Sequence, residues 1–305
     1  MGKLNQCYLC AGPIIEKFLT AYDRQFAGPD DYVYSKCRSC GLVFMNPLPK
    51  PEQISAFYPR EYSPHQEKPG RGKRKSGRNL FKSQGSNRLL EVGCGTGSLL
   101  KRHQELGWNV RGVEINSNAC GICRSNGLEV HCGTLLDAPF DNERFDVIFF
   151  NHVIEHLLDP VAVFKKAADL LAASGKIILL TPNNASLSFG KYGSAWYHLD
   201  APRHIFLYGP ESLRELCAKT GLSILDIRTL PSSRIWTQSE HLNRFQGAVI
   251  PQGLEERKKI IETAGNGKKS YRIFRAIISP VCFFSAKLGR GENLRAELIA
   301  DTARK

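Results

Sequence analysis

From residue 86 onward two hydrophobic patterns alternate along the chain. Short runs rich in Val, Ile, Leu and Phe at Arg88–Val92, Asn109–Val113, Leu128–Cys132, Phe145–Phe150 and Lys176–Thr181 read as strands. Between them, apolar residues three or four positions apart predict helices over Ser98–Leu106, Ser117–Asn126 and Val161–Ala173. Strands that alternate with helices form a parallel sheet covered on both faces, so the expected fold class is α/β. Gly209-Pro210-Glu211 opens a further helix, with proline at its first position, that runs to Gly221, and Leu222–Leu230 reads as a sixth strand. Beyond it the pattern predicts a charged helix over Glu255–Lys269, an amphipathic segment over Tyr271–Leu288 and a closing strand over Leu294–Thr302. Trp236, His241 and Phe245 are candidates for a substrate lid.

The first 85 residues have a different texture. Cys7-Tyr8-Leu9-Cys10 and Cys37-Arg38-Ser39-Cys40 are two C-x-x-C pairs separated by 26 residues. Four thiolates in two tight turns supply a tetrahedral soft ligand set, so Cys7, Cys10, Cys37 and Cys40 are expected to form a closed structural zinc site. Such a zinc keeps no open position for chemistry. Residues 50–66, with Phe57, Tyr58 and Tyr62, are expected to cap the site as a helix and loop, and a Gly/Ser/Lys/Arg-rich linker follows. The chain therefore divides into a zinc ribbon (1–49), a cap and basic linker (50–85) and a large domain (86–305).

The 305 residues hold 42 Lys and Arg against 29 Asp and Glu, a net charge of +13. That balance favours anionic partners: an acidic small molecule or glycan first, with nucleic acid left open. The N-terminus has no apolar core for a signal peptide, and Ile273–Leu288 is too short and too interrupted by Arg275, Pro280 and Lys287 to span a bilayer. A cytoplasmic protein with reduced thiols is expected, with no transmembrane segment, and the basic amphipathic segment 271–288 is able to lie against a membrane surface.

The densest chemical signal is Leu89-Leu90-Glu91-Val92-Gly93-Cys94-Gly95-Thr96-Gly97-Ser98, a strand that breaks into a glycine turn before a helix. The dinucleotide pattern G-x-G-x-x-G fails at Ser98, and the order present is E-x-G-x-G-x-G. A carboxylate there suits a ligand with an ammonium group. A second carboxylate, Glu114, ends the next strand 21 residues after Gly93, an offset at which an acidic residue reaches ribose hydroxyls. Together these features resemble the class I S-adenosylmethionine (SAM)-dependent methyltransferases, whose sheet is Rossmann-like. The resemblance implies SAM as cofactor and Glu91, Gly93, Gly95, Gly97, Glu114 and Ile115 as its contacts. It adds Thr134 and Leu135 near the adenine and Asn151 after the fourth strand. Leu42–Pro49 is similar to the tail of the zinc-binding segment in bacterial methyltransferases that act on sugars and related metabolites.

Asn151-His152-Val153-Ile154-Glu155-His156 formally contains the inverted zinc-protease motif H-x-x-E-H, but it begins at a strand end rather than within a helix. The segment looks like its counterpart in ubiquinone-pathway O-methyltransferases. There the position of His152 is a carboxylate, and with the residues matching Glu155 and His156 it can hold a divalent cation. An imidazole disfavours magnesium, so His152 and His156 are candidates for base or substrate hydrogen bonding. Trp196–Tyr208 contains Asp200-Ala201-Pro202-Arg203-His204, which resembles the D-x-P-R-H segment of this group and makes His204 the first candidate base, with Tyr197 and His198 behind it. The expected function is methyl transfer to a sugar, glycolipid precursor or similar anionic metabolite. An RNA methyltransferase with a zinc module and a SAM-binding scaffold without catalysis stand as alternatives.

Overall fold

The structure is a computed structural model in which residues 2–26, 28, 30–59, 87–246, 256 and 271–301 are described. Three N-terminal strands, β1 (Ile14–Tyr22), β2 (Asp31–Cys37) and β3 (Val43–Met45), pair antiparallel in that order. A one-turn helix, α1 (Pro51–Ile54), follows. From β4 (Arg88–Val92) strands and helices alternate: α2 (Ser98–Glu105), β5 (Asn109–Glu114), α3 (Ser117–Ser125), β6 (Val130–Cys132), β7 (Phe145–Asn151), α4 (Pro160–Asp169) and β8 (Leu171–Pro182). The chain continues through α5 (Leu187–Tyr192), β9 (Phe206–Leu207), α6 (Pro210–Thr220), β10 (Leu222–Leu230), α7 (Ser233–Gln246), α8 (Tyr271–Lys287) and β11 (Asn293–Ala300).

The main sheet has the order β10-β11-β8-β7-β4-β5-β6. Five of its strands, β4 to β8, run parallel, and β11 is antiparallel to both neighbours. This Rossmann-like arrangement brings the turns after β4, β5, β6, β7 and β8 to one edge, where ligands of open α/β sheets bind.

One boundary differs from the pattern. The helix expected over Val161–Ala173 stops at Asp169, and β8 begins at Leu171 rather than Lys176. Leu170 and Leu171 are both buried, so the apolar spacing continues smoothly through the break. Pairing decides the matter: Leu171 partners Phe145, the register shifts, and Lys176 then partners Val147. The shift requires Gly175, because a Cβ there would lie 2.6 Å from the Phe145 carbonyl oxygen. The basic linker up to Ser86 and, Glu256 apart, the helix expected over Glu255–Lys269 lie outside the described residues.

The N-terminal sheet does not close on itself. Its fourth strand is β9, paired with β3 through Val43–Leu207 and Phe44–Phe206. Leu9, Leu42, Phe44 and Phe206 consequently share one buried cluster with Phe150 of β7 and Phe164 of α4. A smaller cluster of Leu89, Leu100, Trp108, Val110, Val147 and Ile178 fills the other face. The Tyr8 hydroxyl donates to Asp159 at 2.8 Å, and the same carboxylate caps α4 by accepting from the Ala162 N–H.

A buried ion cluster ties the end of β1 to the loop that leads into β9. Arg203 is fully buried, and its two Nη atoms donate to the Asp23 carboxylate at 2.9 Å each. Nε and Nη2 also donate to Asp200, at 3.1 and 2.8 Å. Burial works against the guanidinium charge, yet the two carboxylates hold its pKa above the ordinary value. Removing one partner of such a cluster strands a charge away from water. We expect Arg203→Ala to cost about 3–5 kcal/mol in urea unfolding, and Arg203→Lys to recover only part of it because an ammonium cannot repeat the fork. A loss under about 1 kcal/mol for Arg203→Ala contradicts this account.

Candidate active site

The glycine turn leaves β4 with Gly93, Gly95 and Gly97 all at positive φ (70°, 53° and 76°). The space is also restricted: a Cβ on Gly93 would lie 2.5 Å from Val153, and one on Gly97 2.4 Å from Leu128. Glu114, at the end of β5, braces the turn by accepting from Gly95 N at 2.8 Å and from Asn116 N at 2.9 Å. Glu91 is buried, and its Oε2 has no hydrogen-bond partner among the described residues. Burial raises its pKa, and the neighbouring Cys123 and Glu114 charges add to the effect. A carboxylate in that condition is completed by a cationic group.

Around this turn opens a cavity of about 2100 Å³. That is well beyond the ~300–1,000 Å³ of a typical small-ligand pocket, so it has room for a cofactor and an acceptor together. Ile115 and Leu136 line it while 64% and 49% exposed, apolar surface that a flat base would cover. Leu135, buried in the core, and its exposed neighbour Leu136 both line the cavity. Thr134 lines the cavity with its N–H and hydroxyl both engaged by Asp137, and Asn151 lies at the exposed end of β7. The donor set fits SAM: a carboxylate for its ammonium at Glu91, one for ribose at Glu114, and apolar walls for adenine.

The same cavity is lined by imidazoles. After β7 the chain passes through His152, at φ +55°, into a 3-10 turn over Ile154–His156. Glu155 is fully buried there, accepting from His152 Nδ1 at 3.1 Å and from the Thr181 hydroxyl at 2.9 Å. Burial would raise its pKa, but the His152 hydrogen bond and the surrounding imidazoles outweigh this and hold it at about 2. His156 Nδ1 faces the Arg203 carbonyl at 3.0 Å and the Tyr58 hydroxyl at 2.9 Å. His204 Nδ1 lies 2.7 Å from the His198 carbonyl. A carbonyl only accepts, so Nδ1 carries the proton in both rings and Nε2 keeps its lone pair. The His156 and His204 rings meet edge to face at 4.6 Å, and His152 stacks on His198 at 5.7 Å. Burial, aided by nearby imidazole charge, lowers His156 to about 4 and His198 to about 3.

Among the described residues, two groups of side chains could hold a metal ion. Sulfur atoms of Cys7, Cys10, Cys37 and Cys40 all lie within 4.8 Å of one another. The Cys7–Cys40 and Cys10–Cys37 separations, 3.6 and 3.4 Å, are close to the ~3.8 Å edge of a zinc tetrahedron with Zn–S near 2.3 Å. Ser39 and Cys40 N–H groups point at Cys37 Sγ, as a thiolate would require. Glu155, His156 and His204 form the second group, with ligand atoms inside the same 4.8 Å limit. One carboxylate and two imidazoles suit a transition metal better than magnesium.

The structure thus gathers His152, His156, His198 and His204 in the cavity that Glu91, the glycine turn and Glu114 also line. The expected lid is different. Trp236 is buried edge-on against Tyr192, and the first turn of α7 faces the cavity through Ser232, Arg234 and Ile235. Nothing is described of the Phe245 side chain. Ile54 and Tyr58 reach the cavity from the cap, as does Gln25, which follows β1 and carries no sequence signal for that role.

His156 and His198 are held neutral in the fold but titrate near 6.5 once unfolded. The unfolded chain therefore binds more protons as pH falls below about 6.5, and stability is lost over that window. We expect urea-unfolding free energy to drop between pH 7 and 5 with a slope of up to about 1.4 kcal/mol per pH unit for each histidine. A flat profile in a His156→Gln/His198→Gln double variant, against a sloping one in the wild type, checks the assignment.

Residues 61–227 match the family model described as "Methyltransferase domain". The ubiquinone biosynthesis O-methyltransferase of Cereibacter sphaeroides is 29% identical over 183 residues, covering 54% of this chain and 74% of that protein. The malonyl-[acyl-carrier protein] O-methyltransferase of Serratia marcescens is 24% identical, covering 57% and 69%. Among solved structures, a SAM-dependent methyltransferase from Archaeoglobus fulgidus superposes with a TM-score of 0.46 at 18% identity, covering 71% of this chain and 86% of that one. On its sheet order, its glycine turn and the matched family, the chain belongs to the methyltransferase domain family and is a class I SAM-dependent methyltransferase.

Proposed function

We propose that the acceptor is a hydroxyl or acidic C–H of an anionic sugar, glycolipid precursor or similar small metabolite, and that His204 removes its proton. The observation that carries this reading is the 2.7 Å hydrogen bond from His204 Nδ1 to the His198 carbonyl, which leaves Nε2 basic. Bound SAM supplies a methyl group already activated by its sulfonium. The protein's part is to hold the nucleophile in line and take its proton. His204 accepts that proton at Nε2, and the buried Glu155 carboxylate close by stabilises the imidazolium that results. His152 orients the acceptor while its Nδ1 stays on Glu155. Arg234 at the cavity wall and the +13 net charge favour an acidic acceptor.

Residues 1–49 serve in this reading as a zinc ribbon whose closed four-cysteine site shapes the wall behind His204, with the cap from residue 50 roofing the acceptor. Residues 86–305 bind SAM and transfer the methyl group.

The deciding experiment incubates the purified protein with methyl-labelled SAM and a fractionated bacterial extract. Label is expected in nucleotide-sugars, glycans or lipid-linked saccharides. Label in RNA overturns the acceptor class, and tight SAM binding with no labelled fraction favours a scaffold. With the acceptor in hand, His204→Ala should lower kcat by about 10²–10⁴-fold and leave the Kd for SAM unchanged. Elemental analysis should find one zinc per chain in the wild type and none in Cys10→Ser/Cys40→Ser, whose thermal midpoint should fall.

A further inference from the structure

Helix α8 carries an apolar stripe that the fold does not use. Ile273, Ile277, Val281, Phe284 and Leu288 recur at intervals of three or four residues and so share one face, with Phe283 beside them. These six side chains are 43–78% exposed. The opposite face is the one that packs: Cys282 and Ser285 are buried, and the Ala286 carbonyl accepts from Thr229 Oγ1 on β10 at 2.7 Å. An exposed apolar stripe of this length on an already packed helix marks a contact surface.

Its charge indicates what it contacts. Residues 271–290 include Arg272, Arg275, Lys287 and Arg290 and not one Asp or Glu. Arg275, Lys287 and Arg290 are exposed, and Lys287 Nζ lies 4.7 Å above the Phe283 ring, with its ammonium at the edge of the stripe. An apolar face on a segment whose only charged residues are cations complements a surface that is apolar beneath and anionic above, which is an acidic lipid bilayer. A second copy of the chain would set these cations against each other. Among the described residues no helix is long and apolar enough to cross a membrane, so the contact is peripheral.

We propose that α8 docks the protein flat on an anionic phospholipid surface. The packed face of α8 is the one that meets α7, where Arg275 Nε donates to Ser233 Oγ at 3.2 Å, so the stripe is turned away from that helix. The inference concerns lipid binding alone and stands apart from the identity of the methyl acceptor.

The test is co-sedimentation of the full-length protein with phosphatidylcholine vesicles, with and without about one-third phosphatidylglycerol. Partitioning onto the acidic vesicles is expected to exceed that onto neutral ones by about 10-fold or more and to fall as salt is raised. Ile277→Asp/Phe284→Asp should lose at least about 10-fold of this binding with its thermal midpoint and SAM affinity unchanged. Lys287→Glu/Arg290→Glu should lose the preference for acidic lipid. A wild-type protein that stays in the supernatant with acidic vesicles overturns the proposal. So does binding that survives both double variants. If sedimentation equilibrium shows a dimer that Ile277→Asp/Phe284→Asp makes monomeric and vesicles do not bind, the face belongs to a second copy of the chain.

Discussion

The arrangement of the candidate site depends on where one guanidinium can be satisfied. Arg203 has no exposed surface and needs both Asp23, just past β1, and Asp200, three residues before it. A chain that failed to bring these groups together would leave a charge unpaired in the core, at a cost comparable to much of a domain's net stability. The next residue is His204. Its carbonyl accepts from the Tyr34 hydroxyl of β2 at 2.8 Å, and the carbonyl of Ile205 accepts from Met45 N of β3. The position of the candidate base is therefore inherited from the N-terminal sheet, although the base lies far along the chain from it.

The second constraint is electrostatic. Four imidazoles crowd around one buried carboxylate, Glu155, which is kept ionised while His156 and His198 are kept neutral. One permanent negative charge can support one positive charge in such surroundings. A proton taken up by one of these rings would find a site prepared for a single cation, the balance that the general-base role proposed for His204 calls for.

Much of the large sheet was legible because buried parallel strands are written as apolar runs, and Arg88–Val92 and Phe145–Phe150 are of that kind. The glycine turn was legible because its spacing is itself the chemistry: each glycine fills a place where a Cβ would strain the backbone or collide. Other features had no local trace. Strand β9 is two residues long, too short to show a period, and exists because β3 offers it an edge. The end of α4 was hidden because Leu170 and Leu171 suit a helix and a strand equally well. Arg203 reads in sequence as one more charged residue over a pocket, whereas its structural role lies in a pairing 180 residues distant.

Strand β9 carries a consequence for how such proteins diversify. The N-terminal sheet is completed by Phe206 and Leu207, and its buried arginine partner arrives with the same loop. The cysteine-rich segment is thus not a bead that recombination can move from one enzyme to another by cutting near residue 50. The folding unit is discontinuous, made of the first strands and the Trp196–Tyr208 loop together, and a cut near residue 50 would leave β3 without the strand that completes its sheet.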